Sequence, residues 1–401
     1  MRGGTADTDE ASPETASEAV SPWIGLALSG GGIRAAVFHL GVLRRLASEH
    51  LLESVSVVST VSGGSLITAA VMSSAGMKWP TSDEYLGSIY PKFRRRVTAG
   101  DLLSLKSIGW AGLAEFNLRL VRSRASVLAT MLERVWGVAG RLADMPDSPQ
   151  WLINTTCIDT GKNWRFSKQE MGDWTFGRHY APDVPVAVAV AASAAVPYAI
   201  GAMPLSLPAA GWWETDPATG KQTRTKAPAK ARVRLWDGGA YDNVGLEALS
   251  KPGRGLRFPD LQRRLRPAAA ARRLAVCSPD PRQPLQPETV RRRRRPDPGP
   301  AQQDADCGHR GRTVEGVLLR MGNSVRAVDV KSGMTRPATF YDGFQSDEQA
   351  ELALRHPTDL KAPSEAQFDM LARHGFEIAD ATLTTYVPAR FPQSSSWGDC
   401  T

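Results

Sequence analysis

The chain has 401 residues, 42% of them apolar, which is enough for one large domain or two of ordinary size. Its net charge of +8 is local: residues 252–312 hold 15 Arg, no Lys and 6 acidic residues, so a globally basic nucleic-acid binder is excluded. The four cysteines (Cys157, Cys277, Cys307 and Cys400) lie far apart and form no CxxC pair, which fits neither a disulfide framework nor a zinc site.

Residues 1–20 are polar and lack an apolar core segment, so they read as a disordered cytoplasmic leader and not as a signal peptide. Residues 21–251 alternate short apolar runs with helical periodicity, the pattern of an α/β fold. The first strand is expected at Trp23–Leu28, leading into Ser29-Gly30-Gly31-Gly32. Ile33, Val37, Leu40 and Leu43 then recur at helical spacing up to about Ala47. A second strand is expected at Val55–Ser59, turning at Thr60-Val61-Ser62-Gly63-Gly64 into a helix that carries Leu66, Ile67, Ala70 and Val71. Strand, glycine turn and helix thus occur twice in succession.

Three glycines between a strand and a helix let backbone N–H groups converge at a helix N-terminus, which makes an anion site. The anion could be a phosphate or a developing oxyanion. Gly30-x-Gly32-x-x-Ala35 also matches the loose dinucleotide fingerprint, but that reading needs an acid at the end of the second strand, where Ser59 and Thr60 stand. Ser62 sits at a sharp strand-to-helix turn between small residues, the arrangement of a nucleophile elbow. The plainer reading is that Ser62 or Ser65 caps the helix.

A nucleophilic serine needs a base, and none of the six histidines (His39, His50, His179, His309, His356 and His374) sits in a triad-like motif. A carboxylate that meets the hydroxyl directly can take that role. Leu235-Trp236-Asp237-Gly238-Gly239 offers one: an acid at the end of a short apolar strand, with a helix expected at Asn243–Leu249. An Asp turn or cap is the ordinary alternative for an Asp-Gly pair.

Val184–Trp213 contains no charged residue and is long enough to span a bilayer, yet it holds Pro185, Pro197, Pro204 and Pro208. Those prolines argue for a buried helix instead, with Asp183 as N-cap, Pro185 in the first turn and an end near Val196. Toward the C-terminus, Ser364 and Gln367 form a capping box ahead of Phe368 and Leu371, and Gly375 is expected to close that helix.

Taken together, Gly30-Gly31-Gly32-Ile33-Arg34, Thr60-Val61-Ser62-Gly63-Gly64 and Asp237-Gly238-Gly239 resemble the patatin-like phospholipase family. Asn154-Thr155-Thr156, Ala191-Ala192-Ser193-Ala194-Ala195-Val196-Pro197 and Tyr241-Asp242-Asn243-Val244-Gly245-Leu246-Glu247 add to the resemblance, which covers most of residues 23–251 and resumes around Leu318 to Leu383. It implies a three-layer α/β/α fold with a central, mostly parallel sheet, and a Ser–Asp dyad with Ser62 as nucleophile and Asp237 as proton acceptor. It further implies an oxyanion hole from the amides of Gly31 and Gly32, with Gly30 as a further contributor. Arg34 would support that loop or meet a head-group phosphate, and Gly63, Gly64, Gly238 and Gly239 would clear the two turns. The implied reaction is hydrolysis of a lipid acyl ester at a membrane interface, with no metal or cofactor and no nucleic-acid partner. The protein would be cytoplasmic or peripheral to a membrane. Ala35 and Thr60 depart from the family pattern by replacing the last Gly of G-x-G-x-x-G and the first Gly of G-x-S-x-G. A catalytically impaired lipid- or nucleotide-binding module on the same fold is the alternative from another class.

The expected domain runs over residues 21–390, with 391–401 as a tail, and is interrupted by the Arg/Pro-rich segment 252–312. There the family continues with an apolar strand resembling F-D-F-L-I-C-S-D-A-S-G, whereas Leu256–Arg266 cannot form a central strand. Shifted by one nucleotide, a permitted codon spelling of that stretch reads F-D-F-L-I-C-S-D-A-S. An out-of-frame segment is therefore one explanation. An insertion with Leu274–Ser278 as the real strand is a second, and a basic tract for anionic lipid or nucleic acid a third.

Overall fold

The computed structural model describes residues 24–102, 123–215, 222–225, 227–228, 230–250, 274–277 and 316–400. In chain order its strands are β1 (Ile24–Leu28), β2 (Val55–Val61), β3 (Gln150–Cys157), β4 (Asn163–Phe166), β5 (Glu170–Asp173) and β6 (Gly177–Tyr180). They are followed by β7 (Met203–Ser206), β8 (Trp212–Thr215), β9 (Gln222–Thr225), β10 (Arg232–Asp237), β11 (Leu274–Cys277) and β12 (Val317–Leu318). All join one mixed sheet. Its central strands, β12-β11-β1-β2-β3, are parallel. An antiparallel meander, β4-β5-β6-β8-β9, extends it beyond β3.

β1 is buried along its whole length, as an apolar strand covered on both faces must be. The helix α1 (Gly32–Ala47) follows β1, and α2 (Gly63–Ser74) follows β2. The main core lies between the sheet and these helices. On the opposite face, Val57 and Leu152 are covered by Ala248 and Leu249.

The branch at β3 places the site. Val61, the last residue of β2, pairs with Asn154 of β3. The next position, Thr155, pairs with Asp237, the last residue of β10. Because β4 occupies one edge of β3 from Ile153 to Thr156, β10 must share the other edge with β2. β2 runs parallel to β3 and β10 antiparallel, so the two strands converge end to end. Ser62 and Asp237, 175 positions apart in sequence, are thereby brought to neighbouring positions along one edge of β3.

Several expected boundaries shift. β2 continues through Thr60 to Val61, so the elbow follows the strand directly. The buried helix spans Val186–Ser193 with Pro185, not Asp183, in the N-cap position. Asp183 instead meets the guanidinium of Arg141 through both its carboxylate and its carbonyl. That helix stops at Ser193, and two residues on the Ala195 carbonyl accepts the N–H of Asp237 at 2.9 Å. Among the described residues no helix is long and apolar enough to cross a membrane. In place of the helix expected at Asn243–Leu249 stand two four-residue helices, Gly239–Asp242 and Glu247–Ser250. Between them the Asp242 carboxylate accepts the N–H groups of Val244 and Glu247, each at 3.1 Å, which turns the chain there.

The C-terminal helix has its capping box at Ser364 and Gln367, but it runs through Gly375 to Tyr386. Gly375 serves an approach between helices, not a stop: a Cβ there would stand 1.9 Å from the Phe38 carbonyl oxygen, and one at Gly41 would stand 1.8 Å from that of Ala372. Two glycines facing each other let α1 and the C-terminal helix touch backbone to backbone. Close by, Arg45 donates to Asp380 at 2.7 Å, a fully buried ion pair. The stretch set apart as a tail is bound to this pair. Ser395 N–H meets Asp380 at 2.9 Å, Ser394 donates to its other oxygen, Phe391 is buried, and Trp397 stacks on the Arg44 guanidinium at 3.9 Å.

β11 lies beside β1 in parallel register, with Leu274 opposite Ile24 and Val276 opposite Leu26. The strand expected at Leu274–Ser278 is thus present as Leu274–Cys277, beside β1. Leu256–Arg266 and the rest of the Arg/Pro-rich segment lie outside the described residues.

Candidate active site

Ser62 is the junction between β2 and α2, with φ 49° and ψ −114°. A non-glycine residue in that region costs about 1–3 kcal/mol and persists only where neighbours hold it. The capping role is not what it does: its side chain makes no cap hydrogen bond to α2. Ser62 is 4% exposed and its N–H donates to Ser193 Oγ at 3.0 Å.

Asp237 is 6% exposed at the end of β10. Its Oδ1 accepts the Gly239 N–H at 2.7 Å, and its backbone is held by Ala195 O at 2.9 Å and Thr156 Oγ1 at 2.8 Å. Oδ2 has no hydrogen-bond partner of normal geometry among the described residues. Burial pushes the carboxyl up to about 6 from its usual 3.8, against the opposing pull of the Ser62 hydroxyl and the Gly239 amide. A group with that value is mostly ionised at neutral pH yet still a competent base.

The glycine loop lies against this pair. A Cβ at Gly30 would come within 3.2 Å of Ser62 Cβ, and one at Gly63 within 2.3 Å of the Gly32 carbonyl oxygen. Gly31 and Gly32 have φ 137° and 59°, which turn the loop into the start of α1. Their N–H groups have no acceptor among the described residues. Gly30 is a correction: its N–H donates to Asn243 O at 3.0 Å, so it is not available to an oxyanion. Gly64 donates to Ser29 O at 3.2 Å, and Gly238 donates to Ser193 O at the same distance. Of the two roles expected for Arg34, support is the one seen: it donates to the carbonyls of Leu354 and His356, which pins that segment beside the loop.

Among the described residues histidine takes no part in this arrangement. His39 and His374 are both buried and pushed down to about 4, His39 by burial against the raising effect of the Ser29 carbonyl and His374 by burial. His39 Nε2 is committed to Ser29 O at 3.1 Å, and His374 Nε2 accepts the Gly322 N–H at 2.9 Å. Among the described residues no histidine hydrogen-bonds to Ser62 or Asp237, and no group of three or more His, Cys, Asp or Glu is placed to hold a metal.

Two contributors escaped the sequence reading. Asn243 wedges its Oδ1 between the two glycine turns: a Cβ would stand 2.4 Å from it at Gly30 and 2.6 Å at Gly239. Ser193 bonds both to the elbow and to β3. Each lay inside a stretch noted for its resemblance, but a single Asn or Ser carries no spacing signal of its own.

Residues 26–250 match the patatin-like phospholipase family. The chain belongs to the patatin-like phospholipases. The family places it among lipid hydrolases at that level of description, and it agrees with the α/β architecture around the Ser62 elbow. Among solved structures the chain is similar to human GIVD cytosolic phospholipase A2, at 16% identity and a TM-score of 0.56, covering 93% of this chain and 60% of that one. A second structure of that enzyme, in complex with methyl γ-linolenyl fluorophosphonate and terbium chloride, matches at 17% identity and a TM-score of 0.54, covering 93% and 59%. This patatin-like chain therefore spans about 60% of the length of that phospholipase. No curated protein matches it in sequence.

Proposed function

We propose that this chain hydrolyses an acyl ester of a lipid through a dyad of Ser62 and Asp237. The observation that carries the reading is Asp237: a buried carboxyl raised to about 6, with one oxygen unpartnered, one strand position from the serine elbow.

Ser62 Oγ attacks the ester carbonyl carbon and its proton passes to Asp237 Oδ2. The carbonyl π electrons move to oxygen, and the N–H groups of Gly31 and Gly32 hold the resulting oxyanion. Collapse of the tetrahedral intermediate breaks the bond to the alcohol, which leaves with the proton from Asp237. Water then attacks the acyl-serine, Asp237 accepts its proton, and the second collapse releases the fatty acid and returns the proton to Ser62. Each attack needs Asp237 ionised before it and leaves it protonated, and each collapse does the reverse, a cycle that a value near neutrality favours. Gly30 anchors the loop through Asn243, and Arg34 anchors it through residues 354–356.

The test is covalent labelling by an alkyl fluorophosphonate, the reagent class bound in the GIVD phospholipase A2 structure. Attack by an activated serine displaces fluoride and leaves a phosphonyl ester. Mass spectrometry should place that ester on Ser62, and Ser62→Ala should prevent it. A label on another serine, or none on the folded chain, removes the dyad.

A further inference from the structure

Ser193 ends the helix Val186–Ser193 and is fully buried. A serine in that position commonly bonds a carbonyl one turn back in its own helix. This one turns away from its helix and donates to Asn154 O on β3 at 2.7 Å. Ser193 Oγ in turn accepts the Ser62 N–H at 3.0 Å and lies 2.8 Å from Ser65 Oγ. The Ser193 carbonyl accepts the Gly238 N–H at 3.2 Å, and two residues later Ala195 O accepts that of Asp237 at 2.9 Å.

One residue therefore touches three parts of the site at once: the peptide of the nucleophile, the strand that serves both halves as template, and the peptide that follows the base. Asn154, which it holds, is the β3 residue paired with Val61 at the foot of the elbow. The Ser62 backbone is in a strained conformation, and its N–H is buried with Ser193 Oγ as acceptor. Without that acceptor the peptide would lose a hydrogen bond and be drawn toward an ordinary φ. Such a rotation swings Oγ away from the carboxyl.

We infer that Ser193 is a positioning residue, which fixes the separation between the Ser62 hydroxyl and the Asp237 carboxyl by holding the elbow and the Asp-Gly-Gly turn to β3 together. The inference rests on the dyad reading. It concerns alignment and not packing, so it predicts a particular kinetic split.

The experiment compares wild type, Ser193→Ala and Ser65→Ala, using a soluble p-nitrophenyl ester, the rate of fluorophosphonate labelling, and thermal melting to confirm folding. Ser65 shares the buried hydroxyl cluster, at 2.8 Å from both Thr60 Oγ1 and Ser193 Oγ, but bonds to neither the Ser62 N–H nor the Gly238 turn. Ser193→Ala should lower kcat about 100-fold with KM within about twofold, the size expected for a misplacement of roughly 1 Å at the reacting atoms. The labelling rate should fall in parallel. Ser65→Ala should lose a similar amount of thermal stability and keep kcat near wild type. If Ser193→Ala does not fold, Ser193→Cys carries the test, because it keeps the side-chain shape while weakening both the bond accepted from the Ser62 N–H and the bond donated to Asn154 O; the same split is expected. A folded Ser193 variant that turns over and labels at the wild-type rate, or no more slowly than Ser65→Ala, overturns the inference and leaves the dyad standing. A wild-type chain that does not label at Ser62 overturns the dyad itself.

Discussion

Asp237 and Asp380 are both buried carboxylates, 6% and 1% exposed, and they show how differently one side chain can be used. Asp380 is saturated: Arg45 and the Ser395 N–H share Oδ1, and the Ser394 hydroxyl meets Oδ2. Its work is to close the fold, binding α1, the C-terminal helix and the last residues into one unit. Asp237 has one oxygen on the Gly239 amide, the other without a hydrogen bond of normal geometry, the Ser62 hydroxyl close enough to favour its ionised form, and no cation beside it. Burying a carboxylate without pairing it is costly, so the fold holds Asp237 at the expense of stability. Unsatisfied acceptor capacity, not burial, is what separates a group placed for chemistry from one placed for structure.

The widest difference between the two should appear in turnover. Ser62→Ala should reduce hydrolysis of a soluble ester by about 10⁴-fold or more, and Asp237→Asn by about 10³-fold, since nucleophile and base act as a unit. Asp380→Ala, assayed per folded molecule, should keep kcat within about threefold of wild type. If it loses turnover as Asp237→Asn does while still folded, the division between chemical and structural carboxylate collapses.

Stability should rank them the other way. Asp380→Ala leaves the buried Arg45 with Glu49 as its remaining counter-charge, and Arg45→Ala leaves Asp380 with no cation; the second should cost about 3–5 kcal/mol in urea unfolding and the first somewhat less. Arg45→Met paired with Asp380→Leu should recover most of that loss, because the penalty comes from an unmatched charge. A double variant no better than the singles would show that the pair's contacts to Ser394 and Ser395 matter more than its charge.

The half of the site that was legible in sequence is the half set by backbone geometry. Glycine runs after apolar strands announce turns, and Ser62 and Asp237 each stand at one. The register of β3 was not legible, because the end-to-end meeting of β2 and β10 is a long-range pairing that no local spacing encodes. Gly375 reads as a helix stop by local rules, and only the facing Gly41 explains why the helix continues. The commitment of the Gly30 amide to Asn243 was likewise invisible, since it joins residues in separate turns. The strand at Leu274–Cys277 was one of three readings of its segment, because a four-residue apolar run inside an Arg/Pro-rich stretch has no local signal that sets it apart. Sequencing the gene across codons 252–312 separates a shifted frame from an insertion.

The pH profile sharpens the contrast further. Asp237 must be ionised to accept the serine proton, so kcat/KM should rise about tenfold per pH unit and level off above about 6. The two buried histidines, both near 4, predict a different limb, two units lower, if either were the base. A limb near 6 that survives His39→Ala and His374→Ala in folded protein supports Asp237. A limb that moves with either histidine does not.

The smallest effect is a stability difference that changes with pH. The folded chain holds the Asp237 proton up to about pH 6, whereas an ordinary aspartate releases it near 3.8. Between those values the folded state binds more protons than the unfolded one, so by linkage stability falls as pH rises from about 4 to about 6 and is level above. Two units correspond to roughly 2–3 kcal/mol of strain from the ionised carboxylate at neutral pH. Asp237→Asn removes that charge and keeps an oxygen for the Gly239 amide, but it sets an amide nitrogen where Oδ2 has no partner, which costs about 1 kcal/mol. The inactive variant should therefore be more stable than wild type by roughly 1–2 kcal/mol at pH 7.5, and no more stable at pH 4, where wild type is protonated. Urea unfolding at the two pH values measures this directly. An equal difference at both would mean that Asp237 is ionised throughout, like a paired structural carboxylate, and its unpartnered oxygen would then have no bearing on its role.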